Sequence, residues 1–408
     1  VNRPVSYTRR MPLRSAISVG PVVRDPDEQH RASTPLELFF DLCIVVAVAE
    51  AAAGLHHEVV AGHVADGVIG FAMGFFGVWW AWMNFTWFAS AHDADDLPYR
   101  LLTLVQMAGA LVYAAGVSRA VEDHTFTVCV VGYLIMRAGL ITQWVRVGRR
   151  FPEQRVRCYR YAGGIAVVQV LWLGILATPP EWTAPLFLLL AVGEMYVPWW
   201  AEGGAGRLAV RFRLFHPDHI EERYGLFTII VLGESLLSAT VGIKEVAEGG
   251  VSAGLVAVAS GGLVLAFGAW WLYFDHPGHL RPTERLAFRW GYAHSIVFAS
   301  LAALGAGLHV AAEAAHDEVS SRTGALSVAI PVALYLCGLA LLMLLTHHAA
   351  TVFNVGSKLI GAVAMVLIGL TAPVGVAVAG CAVVMAALVG LMLAIDPPSG
   401  RPADPAVV

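Results

Sequence analysis

Leu326-Ser327-Val328-Ala329-Ile330-Pro331-Val332-Ala333-Leu334-Tyr335-Leu336-Cys337-Gly338-Leu339-Ala340-Leu341-Leu342-Met343-Leu344-Leu345-Thr346 runs for 21 residues without one charged side chain. A helix needs about 20 apolar residues to cross the hydrocarbon layer of a bilayer. This stretch therefore reads as a membrane span. Working outward from it, similar runs recur at 36–55, 67–90, 99–118, 125–146, 161–178, 183–201, 224–242, 252–274, 290–310, 354–371 and 374–395, the last two parted only by Thr371-Ala372-Pro373. The sequence predicts an all-α integral membrane protein with about 12 transmembrane helices.

Composition agrees with that reading. Charged residues make up 14 % of the chain and hydrophobic ones 58 %, against about 25 % charged in a typical soluble domain. The mean hydropathy is +0.67. So few charges could not cover a water-facing surface, whereas a lipid-facing one needs no such cover. A net charge of −4 argues against nucleic acid as a partner. The five cysteines are scattered and form no CxxC pair, which argues against a disulfide framework or a zinc knuckle and for buried thiols.

Arginine placement tests the span map independently. Lys and Arg collect on the cytoplasmic side of membrane proteins. With both ends inside, 22 Lys and Arg residues fall in the cytoplasmic tails and loops and only Arg119, Lys244 and Arg322 outside, while Arg137 lies within a span. A miscount in the middle of the chain would invert this alternation. The Arg-rich first 35 residues lack the apolar core of a cleaved signal peptide. The expected layout is a disordered basic cytoplasmic tail (1–35), a first six-helix repeat (36–201), a basic cytoplasmic linker (202–223), a second six-helix repeat (224–396) and a cytoplasmic tail (397–408).

The repeat rests on two segments 191 residues apart, Phe76-Gly77-Val78-Trp79-Trp80-Ala81-Trp82 and Phe267-Gly268-Ala269-Trp270-Trp271-Leu272-Tyr273. An even number of spans separates them, so the copies run the same way through the membrane, as in transporters whose halves are parallel repeats. The first and seventh spans correspond loosely. Each opens on acidic and aromatic residues and carries a later glutamate, Glu50 or Glu234. Packing is the expected role of the tryptophans.

An ionisable residue within a span costs roughly 2.5–3.5 kcal/mol on the insertion scale unless it finds a partner or water. Such residues point to function. Glu37 and Asp41 share a face of the first span, and Glu50 lies on the opposite one. Arg137, Glu194, Glu234 and His294 follow in later spans, and the tenth ends in His347-His348. They read either as buried pairs, with Arg137 meeting one of the carboxylates, or as a proton or ion relay. The segment Asp93-Ala94-Asp95-Asp96 is similar to the DxDD acid motif of class II terpene cyclases and offers oxygen ligands to a hard cation such as Mg²⁺. It also suits a helix cap with favourable charge at the start of the third span.

Taken together, Pro35-Leu36-Glu37-Leu38-Phe39-Phe40-Asp41-Leu42, Trp79-Trp80-Ala81-Trp82-Met83-Asn84-Phe85-Thr86-Trp87-Phe88, Asp93-Ala94-Asp95-Asp96-Leu97-Pro98-Tyr99-Arg100 with Gln106, and Glu222-Arg223-Tyr224-Gly225-Leu226-Phe227-Thr228-Ile229-Ile230-Val231-Leu232-Gly233-Glu234-Ser235 resemble the ordered motifs of the bacterial low temperature requirement protein A (LtrA) family. Glu50 stands where that family commonly has an amide or neutral residue, and His92 where it usually has an aromatic. The resemblance implies a multi-pass protein of the bacterial inner membrane. It marks Glu37, Asp41, Asn84, Asp93, Asp96, Arg100, Gln106, Glu222, Arg223, Glu234 and Ser235, and it names no reaction.

Two functions follow as expectations. The first is a transporter- or channel-like protein that uses membrane carboxylates for protons, ions or a small-molecule substrate. The second is an intramembrane enzyme on a lipid or isoprenoid, an acid- or metal-dependent cyclase with Asp93, Asp95 and Asp96 as catalytic groups and Mg²⁺ as cofactor. Membrane lipids are partners in both. No metal ligand set stands out.

Overall fold

A computed structural model describes residues 20–25, 31–122, 125–203, 215–247, 252–275, 284–346 and 352–395. Twelve long helices account for most of them: α1 Pro35–Val60, α2 Val64–His92, α3 Leu97–Glu122, α4 Thr127–Arg150, α5 Arg155–Ile175, α6 Thr183–Gly203, α7 Pro217–Ala247, α8 Ala253–Phe274, α9 Glu284–Ala315, α10 Ser321–Thr346, α11 Val352–Thr371 and α12 Val374–Ile395. No strand occurs among the described residues. That is the outcome expected where no water is present to satisfy an open backbone. At least eleven of the twelve are long and apolar enough to cross a membrane, and the stretch 224–242 read as a span from the sequence lies within α7. The chain is a polytopic membrane protein, and its spans contact lipid.

Apolar side chains stand outward along these helices. Leu188, Leu189, Val192, Ile360, Val363 and Val383 are all exposed. A soluble protein would hide so large an apolar surface, whereas lipid tails are as apolar as leucine and leave it at no cost. Four cysteines are buried, but Cys337 is exposed on α10. The expectation of burial fails there because a thiol is apolar enough for a lipid-facing helix surface.

The chain divides into two compact units, Val1–Ile44 with Trp80–Gly116 and Phe126–Ile220, and Val45–Trp79 with Val117–Thr125 and Glu221–Val408. In the first unit α4 packs on α5 and α5 on α6. Close approach of α3 to α4 depends on glycines. A Cβ at Gly109 would lie 2.7 Å from the Met136 amide nitrogen, and one at Gly116 the same distance from that of Cys129. In the second unit α9 packs on α10, α10 on α11, and α8 on α12. A Cβ at Gly307 would run into the Ser327 carbonyl oxygen. Small residues at such crossings bring backbones close where no hydrophobic drive holds helices together.

Candidate functional site

The first unit gathers buried charge around the start of α1 and the end of α2. α1 opens with a reciprocal cap: the Thr34 amide donates to Glu37 Oε2 at 2.8 Å, and the Glu37 amide donates to Thr34 Oγ1 at 3.3 Å. This is the Ser/Thr-x-x-Glu capping box. Glu37 is fully buried all the same, and its Oε1 lies 3.2 Å from His219 Nε2. Asp41 stands one turn further along α1, about 6 Å by helical rise. It is also fully buried and accepts a 2.7 Å hydrogen bond from Trp82 Nε1.

The end of α2 is held by Arg31, whose guanidinium donates to the carbonyl oxygens of Ser90 and, at 2.7 Å, of Ala89. A cation at these last carbonyls also meets the negative end of the helix dipole. Residues 20–25 and 31–34, within the stretch read from sequence as a tail, run against this helix end: Arg24 N donates to Ala91 O at 3.0 Å. Burial pulls Arg31 below its usual pKa, and the nearby Glu37 and Asp93 offset part of that pull. Asp93 is raised from the ordinary carboxylate range to about 6, first by burial and then by the negative charge of Glu37, with Arg31 working in the opposite direction. Buried carboxylates thus crowd this end of the unit.

The three aspartates after α2 have separate roles. Asp93 Oδ1 accepts from the Asp95 amide at 3.1 Å, closing a turn in which Asp95 takes a φ of 46°. Asp95 is exposed and grips Arg100 through two 2.7 Å hydrogen bonds. Asp96 caps α3 by accepting from the Tyr99 amide at 2.8 Å, and it pairs with Arg146 of α4 at 2.6 Å. These contacts are the capping arrangement. No group of three His, Cys, Asp or Glu side chains among the described residues is placed to hold a metal ion.

A second polar centre sits deeper in the same unit. The partner expected for Arg137 is Glu194, at 3.6 Å, both residues 1 % exposed. Glu194 also accepts from Trp80 Nε1 at 3.0 Å, Tyr133 OH at 3.0 Å, Gln169 Nε2 at 2.9 Å and Trp172 Nε1 at 3.3 Å. Arg137 donates to the Tyr133 hydroxyl and lies over its ring. Five residues from three helices converge on one carboxylate of a fourth. Its lone pairs are filled, which suits a clasp between α2, α4, α5 and α6.

The remaining sequence candidates are dispersed. Asn84 donates to the Trp80 carbonyl within α2. Gln106 bonds Gln143 at 3.1 Å, and Gln143 bonds Thr103 at 3.3 Å, forming a small amide ladder. In the second unit, Glu50 accepts from Ser118 at 3.1 Å, and Ser235 donates to the Leu301 carbonyl at 3.0 Å. His294 is boxed by Tyr224, Trp290 and Phe298 and is 3.1 Å from the Tyr273 hydroxyl. Arg223 is buried and Glu222 exposed. The Glu234 side chain and His347-His348 lie outside the described residues. His92 fills an aromatic slot, its ring 5.3 Å from Phe88 and 5.5 Å from Trp144.

Sequence reasoning missed Arg31 and His219, which it assigned to a tail and a linker, and the donor role of Trp82. Their short distance in sequence from a predicted span end was the available signal. It also passed over His56, His309 and Glu313 of the second unit.

The sequence compares with known proteins as this geometry leads one to expect for an α-helical membrane protein. An uncharacterized protein of Rhizobium meliloti (strain 1021) is 25 % identical over 267 residues, covering 64 % of this chain. The chain spans about 62 % of the length of that curated relative. The profile of the bacterial low temperature requirement A protein matches residues 32–394, nearly the whole length, including each of the motif segments quoted above. The chain belongs to the bacterial low temperature requirement A (LtrA) family.

Proposed function

We propose that this protein is a transporter- or channel-like protein of the bacterial inner membrane that moves protons, or a cation in their place, through the acid cluster of its first unit. The observation that carries the reading is the pair Glu37 and Asp41, fully buried one turn apart on α1, with His219 against the first and Trp82 against the second. Stacked carboxylates and histidine within spans are how proton relays are built. Asp93, held near pH 6 by burial and by Glu37, suits the mouth of such a path.

Two further proposals belong with it. Both ends lie in the cytoplasm. The spans form two parallel six-helix repeats, 36–201 and 224–396. Support for the repeat extends beyond the tryptophans: Gly70, Gly77, Trp79 and Trp80 have counterparts in Gly261, Gly268, Trp270 and Trp271 at a constant offset. The side chains needed by an isoprenoid enzyme, Asp95 and Asp96, are engaged by Arg100, Arg146 and the Tyr99 amide, so no contact favours that reading over transport.

Purified protein in liposomes under an imposed potential tests the proposal. Proton entry should exceed that of empty liposomes, and Glu37→Gln should lower it. Equal entry with and without protein, across proton, sodium and potassium gradients, would refute it.

A further inference from the structure

α1 carries a second ionisable group at its other end. His56 Nε2 lies 2.8 Å from Glu313 Oε1 of α9, the two side chains 16 % and 29 % exposed. The His309 ring packs edge-on to that of His56 with centroids 5.4 Å apart. His309 Nε2 and Glu313 Oε2 are buried atoms with no hydrogen-bond partner. His309 and Glu313 are four residues apart, so they share a face of α9. Two imidazoles and a carboxylate thus meet at one helix end, partly open to water, with one acceptor of each kind unused.

We propose that His56, His309 and Glu313 form a proton-exchange site at this end of the second unit. Imidazole changes charge between about pH 5 and 8, unlike any other unperturbed side chain. A hydronium ion of the adjoining water gives its proton to the neutral His56 ring, its O–H bond breaking as the N–H bond forms and leaving a water molecule. The imidazolium that forms keeps its hydrogen bond to the Glu313 carboxylate, which balances the new charge. No bond other than N–H forms and no electron moves. His309 stands beside it as an alternative acceptor, and because two imidazolium ions so close repel, the pair takes its protons in succession rather than together.

The surrounding charges do not supply a substitute partner. On α1, His57 packs against the His56 ring at 5.2 Å, and Glu58 is taken by His63 at 3.2 Å. His316, Asp317 and Glu318 follow directly on α9, and Glu122 ends α3; Asp66 of α2, Arg119 of α3 and Arg322 of α10 are the other charged residues near the ends of their helices. The His309 ring meets that of His56, and Glu313 stands one turn along the same helix face. The site is independent of the flux reading, since a group that binds protons without passing them on still titrates.

Titration of the full chain in nanodiscs, followed by nitrogen NMR of labelled histidine, tests the site. The signal lost in His56→Gln identifies His56. Its protonation curve should move in Glu313→Gln, which removes the balancing charge, and in His309→Gln, which removes the neighbouring imidazole. Glu313→Asp keeps the charge and should keep the wild-type midpoint to within a few tenths of a unit. A His56 midpoint unmoved by both Glu313→Gln and His309→Gln overturns the proposal. Liposomes that pass no ions, with these shifts intact, would refute transport and leave the site standing.

Discussion

Trp79-Trp80-Ala81-Trp82 of α2 and Trp270-Trp271-Leu272-Tyr273 of α8 are nearly the same in sequence and opposite in use. Trp79, Trp80 and Trp82 are 2 %, 0 % and 0 % exposed, whereas Trp270 and Trp271 are 46 % and 40 % exposed. In α2 the indole N–H groups face acids, Trp80 donating to Glu194 and Trp82 to Asp41. In α8 the tryptophans pack on each other and on Phe274, and the counterpart of Trp82, Tyr273, meets a histidine. The helices also end differently. α2 runs into the buried Asp93, α8 into the exposed Asp275. The same aromatic segment thus serves as a set of hydrogen-bond donors in one unit and as a lipid-facing surface in the other. Buried carboxylate chemistry is concentrated where the segment is turned inward.

Six substitutions sharpen or break that contrast. The largest effect is expected from Glu194→Leu, which strands the Arg137 guanidinium in the interior. Removing one partner of a buried pair costs about 3–5 kcal/mol, so thermal unfolding in detergent should shift down by many degrees. A melting curve superimposable on wild type would show that the clasp carries no weight.

Asp93→Asn comes next. A carboxyl whose folded pKa is raised is stabilising in its protonated form. That contribution is present below the unfolded value, near 4, and is lost as pH rises through about 6. Above that pH the ionised Asp93 costs up to about 3 kcal/mol. Asp93→Asn should therefore melt higher than wild type at pH 7.5, with the difference closing by about pH 4. A difference independent of pH would remove the crowding argument.

Trp82→Phe and Trp80→Phe keep the ring and delete the donor, leaving a buried acceptor less satisfied at a cost of roughly 1–3 kcal/mol. In Trp80→Phe the carboxylate keeps other donors, since Glu194 retains Tyr133, Gln169 and Trp172. The smallest effect belongs to Trp270→Phe and Trp271→Phe, expected within about 0.5 kcal/mol of wild type. If the α8 pair proved as costly as the α2 pair, the two copies would be equivalent and the contrast would collapse.

Much of the fold is legible in the sequence because spanning a bilayer sets one length and one composition, and runs such as 326–346 satisfy both. α7 shows what that rule leaves open, since its helix, Pro217–Ala247, continues well beyond the apolar stretch at 224–242 and takes in Glu221, Glu222, Arg223 and Lys244. The sites were legible only as residue types. Composition marks Arg137 as a residue that needs a partner, but many helices offered carboxylates or amides, and only packing selects Glu194. Glu37 and Asp41 follow from helical periodicity, while His219 reaches Glu37 from 182 residues away. No local pattern encodes that pairing. Asp95 and Asp96 look like free acids in sequence and are engaged in the fold, because the turn after α2 brings Arg100 and Arg146 to them.

The central claim is that protons or cations cross through the acids of the first unit. Its most direct test is ion flux in liposomes carrying wild type, Asp41→Asn, or Trp270→Phe with Trp271→Phe, at equal protein density. The account predicts a flux above that of empty liposomes that falls at least about tenfold in Asp41→Asn, equivalent to about 1.4 kcal/mol of barrier, and that the α8 substitutions leave unchanged. Wild-type flux in Asp41→Asn, or a loss confined to the α8 pair, would contradict it.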